Sequence, residues 1–523
     1  MARTAPSIEP FRNEPVRTFA DEASRAGVFA ALAELRAGFG ATYPLIIGGE
    51  RIDGPGTIPS LNPADPEQII GEVVAATPRD VGDALDVATD AFAVWSRVPP
   101  AERADLLFRA AAEVRRRKDW FDALMILEVG KTWVEADADT AEAIDFLEFY
   151  GREALRLADP PPLVPSPLNE DNHLRYLPLG VGAVIPPWNF ALAIMAGMTA
   201  AAIVTGNTVV LKPSPDAAVT AFHFVELLEG LGLPPGVLNY VPGDAITVGE
   251  ELVADARTRF VSFTGSKAVG LRISEVAAAR IPGQRWIKRV IAELGGKDAI
   301  VVAADADFDA AVDGVVASAF GFGGQKCSAC SRAIVEAPIY ERFVEAVAAK
   351  ARLLTVGDPA DPAIDVGPVI NAAAFERISD AIEDAHVGAR IVAGGKTAPG
   401  PGYFIRPTVF ADVDPEARVA QEEVFGPVLA IIRAADFSDA LRIANGTDYG
   451  LTGAVYTRDP ALIERAQDEF FVGNLYINRK CTGALVGVHP FGGFNLSGTD
   501  SKAGGYDYLL QFVQAKTITA ARR

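Results

Sequence analysis

Cysteine is scarce in this chain: only Cys327, Cys330 and Cys481 occur. So low and odd a count excludes a disulfide framework. It fits a reducing compartment, the cytoplasm, where thiols stay free for chemistry. Histidine is almost as rare, with four residues, and none stands in a motif that favours a catalytic base. Cys327-x-x-Cys330 therefore lacks partners for a zinc site, and no metal is expected. No broad run of Lys or Arg exists either. Arg115, Arg116, Arg117 and Lys118 cluster in a helical stretch that reads as a solvated face. With a formal net charge of −20, nucleic acid is not an expected partner. Residues 1–11 contain no apolar h-region, so no secretory signal is expected there. Internal repeats and low-complexity tracts are missing too.

What is present is ordinary globular material, 50% hydrophobic and 22% charged. At 523 residues the chain exceeds one core, and two or three domains are expected. Residues 176–211 carry no charge and are long enough to span a bilayer. Pro186, Pro187, Trp188, Asn189 and the Gly206-Asn207 pair interrupt them, however. They read as strand 181–185, buried helix 191–204 and strand 208–211, so no membrane is expected. Residues 1–40 read as a polar arm with one amphipathic helix, 20–35. Helical patterns follow, among them 80–95 and 101–118. Residues 160–167 hold five prolines and predict an extended connection. Beyond them short apolar runs alternate with helices (strands at 181–185, 208–211, 237–241 and 260–263; a helix at 217–231). A second alternating set begins at Ala299 and runs through 333–335, 429–432 and 454–456. Two α/β domains with parallel sheets are the expectation.

Three strings carry chemistry. Phe320-Gly321-Phe322-Gly323-Gly324-Gln325-Lys326-Cys327-Ser328-Ala329 places a cysteine behind a Gly-rich approach. There a substrate can reach the sulfur and the backbone N–H can serve as an oxyanion donor. Ala292-Glu293-Leu294-Gly295-Gly296-Lys297 sets a carboxylate before two glycines, the pattern of a strand end where backbone passes close to something. Pro186-Pro187-Trp188-Asn189-Phe190 falls at a predicted strand C-terminus, where open α/β sheets bind ligands. Taken singly, Cys327 reads equally as a buried structural cysteine, Glu293 as a solvated glutamate and Asn189 as a loop residue.

Together and in this order, the three strings resemble the aldehyde dehydrogenase superfamily. The likeness continues through Lys212-Pro213-Ser214, Phe263-Thr264-Gly265-Ser266, Glu423-Val424-Phe425-Gly426-Pro427 and Pro490-Phe491-Gly492-Gly493. It implies an aldehyde dehydrogenase-like α/β fold. A variant Rossmann NAD-binding domain would comprise 41–158 and 175–292, with a second, catalytic α/β domain at 293–490. A small oligomerisation β-element would lie at 159–174 and 491–523. It also implies that a Cys327 thiolate attacks an aldehyde, that Asn189 and the Cys327 N–H hold the oxyanion, and that Glu293 activates water. A complete Gly-x-Gly-x-x-Gly is missing, because the string starting at Gly180 fails at its last position. In this family the helix after Gly265-Ser266 receives the pyrophosphate instead. Lys212 and Ser214 would meet the adenosine, Glu423 the nicotinamide ribose, Phe425 the ring, and Pro187 and Trp188 the cofactor's loop wall. Pro215 stands where NAD-selective members often carry a glutamate, so NAD is expected with NADP possible.

Flanking residues narrow the substrate. Phe11-Arg12-Asn13-Glu14-Pro15, residues 323–332 and residues 478–487 resemble the Δ1-pyrroline-5-carboxylate dehydrogenase branch, which oxidises L-glutamate γ-semialdehyde to glutamate in proline breakdown. A turn at Gly483 and Ala484, with Ser328, could hold the α-carboxylate through an anion nest. Phe190 and Phe491 could clamp the aliphatic middle, and Glu142 could meet the ammonium. Cys330 and Cys481 read as bystanders. The resemblance implies a homo-oligomer, a dimer or dimer-based hexamer. Rival readings are another semialdehyde or aliphatic aldehyde dehydrogenase, a cysteine acyl-enzyme hydrolase, which needs a His base, and a scaffold protein that has lost catalysis. A scaffold would be expected to lack Cys327 or Glu293.

Overall fold

The apolar runs read from the sequence assemble into two sheets, seen here in a computed structural model that describes residues 9–522. The first sheet has the strand order Arg289–Glu293, Thr258–Thr264, Val181–Ile185, Thr208–Leu211, Leu238–Tyr240, Leu45–Ile47, Glu50–Ile52. Its first five strands are parallel, Leu45–Ile47 runs against them, and Glu50–Ile52 turns back antiparallel to Leu45–Ile47. Val181–Ile185 and Thr208–Leu211 are buried along their whole length, as strands covered on both faces must be. From Val181–Ile185 the chain proceeds to Thr208–Leu211 on one side and later returns to the other side with Thr258–Thr264. That reversal is a topological switch point, and the loops after Ile185 and Thr264 open beside it. The long uncharged stretch is thus two strands around the 12-residue helix Ala193–Val204. Among the described residues no helix is long and apolar enough to cross a membrane.

The second sheet runs Arg390–Ala393, Thr408–Ala411, Val428–Ala434, Arg332–Glu336, Ala299–Val302, Thr452–Tyr456, Asn474–Ile477. Only Arg390–Ala393 is antiparallel. The expected helices form with shifted ends. Asp21 caps Glu22–Ala37, and a Thr77–Asp80 capping box starts Pro78–Trp95, each satisfying N–H groups that the helix itself leaves free. The helix expected at 101–118 is Pro100–Arg116, and a second one, Lys118–Val129, follows after a break at Arg117.

Two expected boundaries need correction. Strand Glu170–Pro178 crosses the 174/175 boundary and pairs antiparallel with Val513–Ala521. The ribbon therefore takes residues 175–178 away from the first domain. Of the segment 491–523, only that last strand joins the ribbon. Phe494–Asn495 pairs with Tyr449–Gly450, and Leu509 and Phe512 are fully buried. Apolar burial draws residues 491–512 inward, while they were expected as part of an oligomerisation segment.

The described part of the N-terminal arm is likewise docked, through charge. Arg17 reaches Asp119 at 2.6 Å, Asp122 at 2.7 Å and Asp137 at 2.5 Å, and the last two carboxylates are fully buried. Lys118 adds a 3.0 Å contact to Asp137. Burial and the neighbouring Asp137 hold the Asp122 carboxyl well above the usual range. Removing one partner of a buried pair costs about 3–5 kcal/mol, and Arg17→Ala should lose about that much in denaturant melts. A carboxylate whose folded pKa is raised contributes stability below its unfolded pKa and loses it as pH rises. The deficit of Arg17→Ala should therefore be larger at pH 8 than at pH 5. An equal deficit at both would show that these carboxylates are not what Arg17 neutralises.

Candidate active site

The two sheets meet where three glycines permit backbone contact. A Cβ on Gly296 would lie 2.4 Å from the Cys327 carbonyl oxygen, and one on Gly295 would lie 2.3 Å from a Glu423 oxygen. On Gly324 it would strike the Gly426 carbonyl at 2.2 Å. Strand Arg289–Glu293, the cysteine loop and the Glu423 loop are thereby brought together, and at Gly296 and Gly324, where the contact is backbone, no side chain fits. The expectation for Gly295-Gly296 holds. The glycines before Cys327 serve this close packing as well, with Phe322, Gly323 and Gly324 in left-handed conformations at φ 51°, 60° and 69°.

Cys327 and Asn189 line one cavity of about 900 Å³. Asn189 Nδ2 donates to the Gln325 carbonyl at 3.0 Å, which fixes the amide and leaves its second N–H uncommitted. Gln325 is itself pinned by Pro368 O and the Ile370 N–H at 3.1 and 3.0 Å. Burial pushes the Cys327 thiol well above its usual range, and Asp298, Glu423 and Glu293 push the same way. The protein's own charges thus oppose the ionised sulfur expected from the sequence, and the Ser328 N–H favours it.

Glu293 ends its strand and is not among the residues that line that cavity. Its Oε1 accepts from Ser501 Oγ at 2.5 Å and from Ser501 N at 3.3 Å. Oε2 is buried without a partner among the described residues. Burial lifts the carboxyl to about 8 against the opposing Ser501 bonds. Desolvation is the dominant cause, as expected for a carboxylate with one unpaired oxygen. The result is a base poised near neutral pH.

The same cavity gathers every residue expected at the cofactor: Pro187, Trp188, Lys212, Ser214, Gly265, Ser266, Glu423 and Phe425. Ser266 caps helix Lys267–Ala278 through the Val269 N–H. The first-turn N–H groups face no intrahelical acceptor, an arrangement that receives phosphate. Lys212 is buried and, among the described residues, donates only to the Pro213 carbonyl at 3.2 Å, and burial lowers it to about 8. Glu423 accepts from the Gly296 N–H at 3.0 Å. Phe425, left-handed at φ 53°, meets Trp188 edge-on with ring centres 5.7 Å apart. A lysine, a glutamate, a helix N-terminus and an aromatic wall around one cavity can hold a dinucleotide.

The residues expected at the substrate lie outside that cavity. Gly483 is exposed and left-handed at φ 75°. Among the described residues neither its N–H nor that of Ala484 donates to any backbone carbonyl or side chain. Arg479 closes the turn on the carbonyls of Thr482 and Gly483 at 2.9 and 3.2 Å. Cys481 ties it to the nucleophile's loop, its Sγ donating to the Ser328 carbonyl at 3.3 Å. Cys481 was expected to be a bystander, and its position in the fold gives it this tethering contact. Phe190 is partly buried, with the Lys131 ammonium 4.2 Å from its ring centre. Phe491 is partly buried and bridges to Ala503. Glu142 sits on helix Trp133–Ala158 and is raised to about 8 by burial and Asp139, with Lys131 and Lys326 opposing. Sequence reasoning missed Ser501, Gln325, Lys131 and Asp139. Only Gln325 lay inside a quoted string; the others reach the site from distant, motif-free positions.

The aldehyde dehydrogenase family model matches residues 52–518. A 1-pyrroline-5-carboxylate dehydrogenase of Geobacillus kaustophilus is 55% identical, covering 98% of this chain and 99% of its own length. One of Bacillus subtilis is 52% identical over the same shares. A crystal structure of 1-pyrroline-5-carboxylate dehydrogenase from Thermus with bound NAD is 50% identical, with a TM-score of 0.97, covering 99% of this chain and 100% of that one. With Cys327, Asn189 and the cofactor-type residues sharing one cavity and Glu293 locked beside it, the chain belongs to the aldehyde dehydrogenase family.

Proposed function

We propose that this chain oxidises L-glutamate γ-semialdehyde, the open form of Δ1-pyrroline-5-carboxylate, to L-glutamate with NAD in proline degradation. The observation that carries the reading is the uncommitted Gly483–Ala484 N–H pair tethered by Cys481 to Ser328, next to the nucleophile. Full-length relatives named for that activity support it. Cys327 attacks the aldehyde carbon. The uncommitted Asn189 N–H and the Cys327 N–H hold the oxyanion, and a thioester on Cys327 follows. Bound NAD supplies the hydride acceptor and a positive charge that offsets the carboxylates opposing the thiolate. Lys212, Ser214, Glu423 and Phe425 would hold it, Gly265, Ser266 and the N-terminus of the following helix would meet its negative charge, and Pro187 and Trp188 would form the wall. Glu293 then takes a proton from water through Oε2, the oxygen that Ser501 leaves free. Ser328, Gly483 and Ala484 receive the α-carboxylate, Phe190 and Phe491 flank the chain, and Glu142 faces the ammonium. The exposed ribbon supports a homo-oligomer, a dimer or dimer-based hexamer, and the free cysteines support a cytoplasmic setting.

Cys327→Ala should lose more than about 99% of kcat, since the covalent step vanishes, while calorimetry still registers NAD binding. Residual turnover above that level would remove the nucleophile from the mechanism. Glu293→Gln should give a stoichiometric burst of reduced cofactor and then stall. In the unmodified enzyme, thioester hydrolysis should rise with pH through about 8, where the buried carboxyl loses its proton. A missing burst would move Glu293 to an earlier step.

Substrate identity is tested by kcat/KM for the semialdehyde over pentanal. Charge-assisted hydrogen bonds contribute about 1.5–3 kcal/mol each, and about 1.4 kcal/mol is tenfold. The ratio should exceed roughly ten and fall about tenfold in Ser328→Ala. A ratio near one in the unmodified enzyme would keep the aldehyde dehydrogenase and end the proline assignment.

A further inference from the structure

Pro215 leaves no carboxylate at the position after Ser214, yet the same cavity wall carries another one. Glu250 and Arg272 both line the cavity with Lys212, Ser214 and Pro215. They come from different elements. Glu250 ends the π-helical turn Ala245–Glu250, and Arg272 projects from helix Lys267–Ala278. Their side chains meet as a two-pronged pair, Nε to Oε1 at 2.8 Å and Nη2 to Oε2 at 3.2 Å. Gly249, the neighbour of Glu250, backs the Lys212 stem, so that an added Cβ would lie 3.8 Å from Lys212 Cδ and Cε. The backbone just before Glu250 thus packs on the lysine expected at the adenosine, and the pair shares one cavity lining with that lysine.

We propose that Arg272 is the receptor for an adenosine 2′-phosphate and that Glu250, by occupying Arg272, is the group that biases this cavity toward the cofactor without that phosphate. Both side chains are substantially exposed, at 55% and 40%, and an exposed ion pair is weak and easily exchanged. A phosphate dianion offers the guanidinium the same bidentate geometry with more charge. Glu250 opposes that exchange twice, as competitor for Arg272 and as a like charge to the phosphate. Glu275, 3.6 Å from Arg272, adds a second, looser competitor. Arg377 also lines the cavity, but it donates to the Val424 carbonyl and feels the Glu423 charge, so it is engaged with the Glu423 loop.

The inference rests on the NAD reading of this cavity, and its test separates the two. Adenosine 2′,5′-bisphosphate and 5′-AMP differ only in the 2′-phosphate, and calorimetry of each with the full-length enzyme needs no turnover. Glu250→Gln should shift the affinity ratio about tenfold toward the bisphosphate, and Arg272→Ala about tenfold away from it, the size expected for one charge-assisted pair. Added salt should shrink both shifts. Unchanged ratios in both variants, with 5′-AMP still bound, would overturn the role of the pair and leave the cofactor reading intact. Failure of the unmodified enzyme to bind either nucleotide would overturn the cofactor reading and the inference with it.

Discussion

The approach of Gly296 to the Cys327 carbonyl is the constraint on which the site depends. Glu293 ends a strand of the first sheet and Cys327 lies in the loop that leads into Arg332–Glu336 of the second, so their relation is set by how those elements abut. The contact admits no side chain at Gly296, where a Cβ would stand 2.4 Å from the oxygen, and backbone against backbone leaves little freedom to slide. Glu423 is fixed in the same act, since Gly295 clears its carboxylate and the Gly296 N–H donates to it. One strand end thus registers the base, the nucleophile loop and a cofactor residue together. A catalytic arrangement needs such registration because small displacements are costly in rate.

Within that frame the electrostatics run in one direction. Burial raises Glu293 and Glu142 to about 8, lowers Lys212 to about 8, and lifts the Cys327 thiol. Each group is pushed toward its neutral form by desolvation, and each is expected to meet a charged or polarised partner in the working complex. The protein is therefore incomplete electrostatically. Its cavity disfavours isolated charge and favours ligands that bring the compensating one.

The sheets and the cofactor wall were legible because they are written locally. Strands 181–185 and 208–211 appear with their expected ends, since continuous apolar runs bounded by Gly and Pro leave few alternatives. The cofactor residues cluster because they lie in the loops at the switch point and in the Glu423 loop that Gly295 clears. Three things were not legible. The helix ends at 37 and 116 depended on caps and a break that periodicity does not report. Residues 491–512 carried no strand signal, yet the buried Leu509 and Phe512 draw them inward. Ser501, which holds Glu293, lies 208 positions away in sequence, and a lone serine between unremarkable neighbours gives no warning of such a partner. The ionised cysteine was expected from chemistry alone, whereas the carboxylates that oppose it became visible only when the fold brought Asp298 and Glu423 near.

Backbone strain offers an independent reading of where the chain is held for chemistry. Among the described residues, eight other than glycine have positive φ, and five of them surround the site: Phe322, Phe425, Asn478, Asp500 and Lys502. A left-handed conformation costs an L-residue about 1–2 kcal/mol, so it persists only where the surroundings over-determine it. Those surroundings are identifiable. Trp188 packs edge-on against both Phe322 and Phe425, with ring centres 6.2 and 5.7 Å apart. Asn478 exchanges two hydrogen bonds with the Thr457 backbone, both at 3.0 Å. Asp500 and Lys502 flank Ser501, and Lys502 is anchored on the carbonyls of Gly473 and Gly492 at 2.8 and 3.0 Å. Relaxing Phe322 would move the Cys327 approach, and relaxing Asp500 or Lys502 would move the serine that aims Glu293. The strained residues and the glycine contacts thus act on the same loops from two sides, and the geometry of the site is what remains when both are satisfied.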